Sequence, residues 1–403
     1  MAHSRARRPA GWYKPPVHLT SLMLASFRNY SRLDLAAGPG VILLLGQNAQ
    51  GKTNVLEAIA LLATGRSERT ESDADLIAWG ARDVPQPFAR VAGTAQRAAD
   101  DVTVELTVVG RPGARGLVAS KRFKVNGIAR RAADATGNIL AVLFTTDDMD
   151  LVKGAPAGRR RFVDTMLVQA DRAYARALSR YGKVVTQRNA LLKQLHERHG
   201  DPEELTYWDA ELAAEAATIV SARAQALARL SDDAGAVHAA LASGREAFAV
   251  SYAPRFGEGW DAARIVAAAP DELREAFAAK LHSARARDIA AGITLSGPHR
   301  DDLEMTIDGE PAASAASRGQ QRTAALALRL GEARYLHAVR RERPLLLLDD
   351  VLSELDEDRR AAVLAATEAD QTWITSPDPD RFAPEFVAKA QVYRVQRGTL
   401  SRM

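Results

Sequence analysis

VILLLGQNAQGKTNVLEAI, Val41 to Ile59, changes character in its middle. Val41 to Leu45 is apolar without alternation, as a strand buried on both faces is. GQNAQGKT, Gly46 to Thr53, then fits the pattern G-x-x-x-x-G-K-S/T. Beyond Lys52, the residues Leu56, Ile59, Ala60 and Ala63 share one helical face, and Gly65 follows its end. A buried strand, a glycine-bearing turn and a helix in that order make a phosphate-binding loop. Backbone N–H groups wrap the phosphates, Gly51 lets them approach, Lys52 reaches the β- and γ-oxygens, and Thr53 ligates Mg²⁺. The contact set expected for ATP is Gly46, Gln47, Asn48, Ala49, Gln50, Gly51, Lys52, Thr53 and Asn54. The bland alternative is a glycine-rich turn that only caps a helix.

Two further stretches belong with the loop. PLLLLDDVLSELDEDRR, Pro344 to Arg360, reads as a buried strand closed by Asp349 and Asp350. Two carboxylates at a strand end are costly without a cation or a proton. Asp349 is therefore expected to hold Mg²⁺, and Asp350 to orient or deprotonate an attacking water. The alternative is that one aspartate caps the next turn. ASRGQQRTAALALRL, Ala316 to Leu330, reads as a helix start with Ser317 as N-cap and Gln320 as its capping-box partner. Gly319 weakens such a start. It also leaves bare backbone beside a helix N-terminus, where an anion can sit. A plain capping box is the competing explanation.

The rest of the chain frames these sites. It has 403 residues, 47% of them apolar, which allows a large core and two or three domains. The formal charge of +4 is a weak pointer to a polyanionic partner. There is no cysteine, which excludes disulfides and cysteine-ligated zinc and suits a reducing, cytoplasmic home. No apolar run approaches the roughly 18 residues that span a bilayer. MAHSRARRPAGWYKPP, at the start, is basic without an apolar core and reads as a flexible lead-in, not a secretory signal. Strands are expected around FRNY, over Val102 to Val109 and Leu117 to Val125 with a tight turn at Asn126-Gly127, and again over Pro344–Leu348, Thr372–Thr375 and Val392–Val395. Between them lie helical stretches, with Tyr174, Leu178, Tyr181, Val185, Leu192 and Leu195 in near-heptad spacing that Arg188 interrupts. Longer helices are expected from about Glu204 toward Ser243 and over Asp271 to Ala290. The expected fold class is α/β: a P-loop ATPase head in two parts, 17–147 and 291–403, interrupted by a helical arm at 148–290.

Phosphate loop, double acidic strand end and S-x-G-Q helix start, in that chain order, resemble the ABC-type ATPase head of the SMC and RecF group. FRNY at Phe27 to Tyr30, GQNAQGKTNVLEAI at Gly46 to Ile59, SGPHRDD at Ser296 to Asp302 and SRGQQRTAALAL at Ser317 to Leu328 resemble the RecF family within it. The resemblance implies that Ser317, Gly319 and Gln320 face the γ-phosphate held by a second copy, so that ATP joins two heads. It implies a homodimer that forms on ATP, slow ATP hydrolysis acting as a switch, and recombinational repair and replication restart at gapped or stalled DNA. Mediators of the RecR and RecO kind are implied partners. Ser353 to Asp356 resembles a loop that communicates across such a dimer. Thr375 or Ser376 stands where transporter ATPases place a histidine. Phe144 to Asp164 resembles the family's head-to-arm junction, with Thr146-Asp147-Asp148 where Pro-Glu-Asp is common, and reads as a hinge. Two departures are Ala49, where a loop glycine is frequent, and Asp350, where transporters carry glutamate.

DNA binding follows mainly from the resemblance, and is expected to be largely sequence-independent, on gapped, single-stranded or duplex DNA. Arg111, Arg115, Lys121, Arg122, Lys124, Arg130 and Arg131 form a stretch without acids that could meet phosphates or simply face water. Arg159 to Arg161 are expected to line the start of an arm helix. Arg28 and Tyr30 are expected either to approach the nucleotide or to pair at the surface. Two other functions stay open: the ATPase subunit of a membrane importer, and an SMC-like structural ATPase.

Overall fold

The structure is a computed structural model and describes residues 17–97, 100–114, 116–354, 360, 363, 370–378 and 382–403. The N-terminal lead-in, Arg115 and Asp356 lie outside the described residues.

Continuous apolar runs build the central sheet. Its order is β15 (Thr399–Arg402), β14 (Gln391–Gln396), β3 (Gly40–Leu45), β13 (Gln371–Ser376), β12 (Leu345–Asp349) and β8 (Ala141–Phe144). All neighbours are parallel except β14 and β15. Alternate residues of one strand enter different cores. Ile42, Leu44, Leu345 and Leu347 pack toward one side, and Leu43, Leu45, Leu346 and Leu348 toward the other. Burial on both faces is why VILLL and PLLLL show no alternation. The parallel register also puts the C-terminal ends of β3 and β12 on the same edge, where ligands bind in open α/β sheets.

One face of this sheet packs on the helix Lys52–Thr64 and a second, antiparallel sheet. That sheet has the order β2 (Tyr30–Ala36), β1 (His18–Phe27), β4 (Phe88–Gln96), β5 (Asp101–Gly113), β6 (Gly116–Val125) and β7 (Ile128–Arg130). Asn126 (φ 49°) and Gly127 (φ 77°) make the expected tight turn between β6 and β7.

The other face packs on the helices Pro156–Ala170, Arg172–His196, Leu205–Leu241 and Arg318–Arg340, and their apolar residues share one core with it. Phe277 brings the helix Pro270–Ala291 into the same core. A three-stranded sheet, β11 (Glu310–Pro311), β10 (Asp302–Ile307) and β9 (Phe248–Ala253), completes this side. Arg188, which interrupts the heptad seam in the sequence, is fully buried and ties three helices together. It donates to Asp209 (2.8 Å), Asp288 (2.7 Å) and Thr294 (2.8 Å).

Candidate functional site

The phosphate loop leaves β3 at Gly46 and enters its helix at Lys52. Lys52 is buried, and its ammonium donates to the carbonyl oxygens of Gly46 (2.5 Å) and Gln47 (2.9 Å). Burial lowers its pKa, while Asp350 and Asp349 oppose that shift. Gly51 has φ 114°, and a Cβ there would lie 2.5 Å from Asn29 Nδ2 and 2.9 Å from the Tyr30 hydroxyl, so both backbone and space demand glycine. Ala49 takes φ 64°, which explains why a loop glycine is frequent at its position; alanine there costs roughly 1–2 kcal/mol. Gln47, Asn48 and Ala49 are exposed at the loop tip. Gln50 turns its side chain away, accepting from Arg397 N (2.8 Å). Asn54 donates to Asn29 (2.8 Å) and accepts from Arg69 (2.8 Å).

The acidic strand end meets the loop from the other end of the chain. Thr53 Oγ1 donates to Asp349 Oδ1 at 3.0 Å, across 296 residues of sequence. Thr375 donates to the same oxygen (2.8 Å) and accepts from Asp350 N (2.9 Å), so this hydroxyl joins the two aspartates. Burial raises the Asp349 pKa, and the hydrogen bonds from Thr375 and Thr53 restrain it. A half-buried carboxylate beside a hydroxyl is a fitting half-site for Mg²⁺, which takes few protein oxygens and completes its shell with phosphates and water. Among the described residues, no group of three or more His, Cys, Asp or Glu could hold a metal alone. Asp350 sits at φ 55°, a strained conformation for a non-glycine residue at a strand end.

The helix Arg318–Arg340 starts with the expected capping box. Ser317 Oγ accepts from Gln320 N (3.3 Å), and Gln320 Oε1 accepts from Ser317 N (2.8 Å). Gln320 also donates to Glu246 (3.1 Å), a contact the sequence did not announce. A Cβ at Gly319 would meet only Ser317 Oγ, at 4.0 Å. Nothing in the described chain therefore requires a glycine there. Further along, Arg329 is buried and donates to Asp148 (2.7 Å), Glu68 (3.2 Å) and Glu332 (3.1 Å), tying this helix to the turn Thr146–Asp148. Burial pushes the Glu332 carboxyl up to about 7 from its ordinary 4.5, against the pull of Arg329. The folded chain then binds more protons than the unfolded one, so this group's contribution to stability falls as pH rises from 4.5 through about 7. Glu332→Gln should flatten that fall by about 2 kcal/mol, read from urea midpoints at pH 5 and 7.5.

Other expected residues go elsewhere. Arg28 pairs with the buried Glu57 of the loop helix, which also holds Arg69. The Tyr30 hydroxyl donates to Gly51 O (3.0 Å). An open cleft of about 920 Å³ adjoins the loop, lined in part by Arg28, Asn29, Asn54, Arg69, Thr70 and Trp79. Lys121 is spent on Asp73 (2.7 Å) and Lys124 lies near Glu105 (3.8 Å), while Arg111, Arg122, Arg130 and Arg131 are exposed. Arg159 clamps the Asp302 carboxylate (2.7 and 2.8 Å), and Arg160 donates to the backbone Asp301 O (2.7 Å). Among the described residues, SGPHRDD makes no hydrogen bond or ion pair with the phosphate loop; it is a largely buried clasp. Asp301 accepts from Tyr252, Arg255 N (2.6 Å) and Arg223 (3.5 Å), and His299 pairs with Tyr181 (2.6 Å).

Phosphate loop, acidic strand end and capped glycine-bearing helix on this α/β sheet define an ABC-type ATPase head. The chain matches the RecF/RecN/SMC N terminal domain family over residues 18–394. It is 42% identical to the DNA replication and repair protein RecF of Chloroflexus aurantiacus, covering 95% of this chain and 99% of that one. Against the RecF of Heliobacterium modesticaldum it is 38% identical, covering 96% and 99%. A solved structure of the recombination mediator protein RecF with ATP superposes with a TM-score of 0.84 at 28% identity, covering 98% of this chain and 100% of that one. The chain belongs to the RecF family.

Proposed function

We propose that this chain is an ATP-dependent DNA-binding protein of replication and recombinational repair, switched by ATP between separate and paired heads. The observation that carries the nucleotide reading is the 3.0 Å hydrogen bond between Thr53 and Asp349, which joins the phosphate loop to the acidic strand end. Gly46 to Asn54 cradle the triphosphate, and the adjoining cleft has room for the adenosine end. Thr53 and Asp349 hold Mg²⁺, which offsets phosphate charge when bound. Lys52 would supply a cation to the β- and γ-oxygens, and Asp350 would orient or deprotonate the water. An aspartate is one methylene shorter than glutamate, which suits slow, DNA-stimulated hydrolysis. Ser317, Gly319 and Gln320 complete the site of a second copy, and the open space at Gly319 supports this reading.

The division into 17–147, 148–290 and 291–403 remains our working description of head and arm. We place the protein in the cytoplasm, acting at gapped or stalled DNA with mediators of the RecR and RecO kind to aid recombinase loading. Two relatives of solved structure are described as RecF of the RecFOR pathway. An importer subunit is disfavoured by family membership, and no helix of the described residues is long and apolar enough to cross a membrane.

Ser317→Arg places a long cation where the second copy's phosphate should enter. It should leave ATP binding intact and abolish ATP-induced dimers in sedimentation. Normal dimers from this variant would sink the shared-site reading.

A further inference from the structure

The helix Arg172–His196 has 25 residues and not one Asp or Glu. Its inner face is buried, through Tyr174, Ala177, Tyr181, Val184, Leu191 and Leu195. Its outer face carries Arg172, Arg176, Arg180, Lys183 and Lys193, all exposed. The first four, at spacings of four, four and three, form one stripe along the helix. At 1.5 Å per residue, the stretch from Arg172 to Lys193 is about 30 Å long, or about nine base pairs of duplex. The stripe continues onto the head. Asp134 accepts from Arg176 (2.6 Å) and lies within electrostatic reach of the exposed Arg131 and of Arg172. The acids near the stripe are Asp134, the half-buried Glu215 beside Arg180 (3.3 Å) and the exposed caps Asp171 and Glu197 at the two helix ends; against Arg131 and the five cations of the helix they leave it net basic.

A second observation is independent of charge. Between the cations stand only neutral residues, most of them small: Ser179, Gly182, Thr186, Gln187 and Ala190, all exposed. Gly182 lies in the helix interior, where glycine weakens a helix relative to alanine. Its φ is not positive, and a Cβ built on it meets nothing within 4 Å. The chain's own packing gives no reason for a glycine at this place. A cationic face with a bare backbone at one margin fits a wide polyanion lying close against it.

We infer that the outer face of Arg172–His196, continued by Arg131, is a track for the phosphate backbone of duplex DNA, with its closest approach at Gly182. Lys and Arg heads meet phosphates along the groove edge, and the small residues keep the helix surface low enough for the duplex to seat. Contact made by these heads to phosphates carries no sequence information, so binding through this track is largely sequence-independent. The inference deepens the DNA-binding reading above and rests on it.

The test uses the full chain with ATP and a fluorescent 30-base-pair duplex, titrated over a range of salt. For the triple variant Arg176→Ala/Lys183→Ala/Lys193→Ala, affinity should fall at least about tenfold. The slope of log K against log salt should become shallower by roughly 2 to 3, near 0.9 per lost phosphate contact. Gly182→Gln should raise the thermal midpoint, because glutamine is the better helix former. The same variant should still weaken duplex binding about three- to tenfold, as close approach is blocked. A triple variant with wild-type affinity and salt slope overturns the inference. A Gly182→Gln protein that binds as wild type removes the close approach from it. Wild-type protein that ignores the duplex at every salt concentration sinks the DNA-binding reading itself, a distinguishable result.

Discussion

Lys52→Met should lower ATP affinity by at least about a hundredfold and erase the thermal shift that ATP gives the wild type. The reason lies in what surrounds the ammonium. Lys52 is 6% exposed and held by two loop carbonyls, at 2.5 and 2.9 Å, so it waits at the centre of the cradle instead of swinging in from solvent. Its position needs little reordering when a triphosphate arrives. A charge-assisted hydrogen bond is worth about 1.5–3 kcal/mol, and a phosphate chain offers more than one, so a loss near 3 kcal/mol is expected. That loss corresponds to a hundredfold or more in affinity. The uncomplexed protein should change far less, because burial already disfavours the charged form and methionine fills a similar volume. Nucleotide-dependent stabilisation scales with the logarithm of ligand concentration over Kd, so melting with and without ATP reads the effect directly. An ATP shift of wild-type size in the variant would place the triphosphate elsewhere.

The strand, turn and helix around Lys52 were legible because their signals are local. A doubly buried strand, a turn with Gly51 and a helix with one apolar face stand within Val41 to Ala63, and the same logic exposes the strand that ends in Asp349. What stayed hidden depends on residues far apart in the chain. Arg188 reads as a flaw in a heptad seam because its partners Asp209 and Asp288 are 21 and 100 residues away. Glu57 looks like an ordinary polar position on the loop helix, yet it is buried between Arg28 and Arg69. The contact of Gln320 with Glu246 needs the turn before β9 to be in place. β9 itself was readable: Phe248, Val250 and Tyr252 alternate inward, but the strand is six residues long and sits among helices. Thr375 was placed at the strand end by resemblance, while its bridging of Asp349 and Asp350 is a matter of register between β12 and β13. Patterns carried by one element can be read from sequence, and pairings between elements cannot.

SGPHRDD shows how much such pairings weigh, and Arg223→Met should expose it as a loss of about 3–5 kcal/mol in unfolding free energy. Arg223 comes from the long helix Leu205–Leu241 and is 2% exposed. Its guanidinium donates to Asp164 (2.7 Å), to the Tyr174 hydroxyl (3.1 Å) and to Pro298 O (2.6 Å), and lies 3.5 Å from Asp301. One side chain thus joins two other helices to the clasp. Methionine can fill the space but leaves the Asp164 and Asp301 carboxylates without their cation, held only by Tyr174, Tyr252 and Arg255 N, and leaves the buried Pro298 carbonyl without this donor, which is the expensive way to break an ion pair. Asp301→Asn should cost less. Burial raises the Asp301 carboxyl toward its neutral form, against Arg223, so a neutral amide changes the balance by a smaller amount, while Arg223 keeps Asp164. The order of the two effects is therefore the informative result. Urea unfolding of both variants and of the double variant gives the coupling between the two residues. Arg223→Met within 1 kcal/mol of wild type would mean that solvent or a repacked neighbour satisfies those groups. The motif would then be something other than the clasp that holds the long helices to the head.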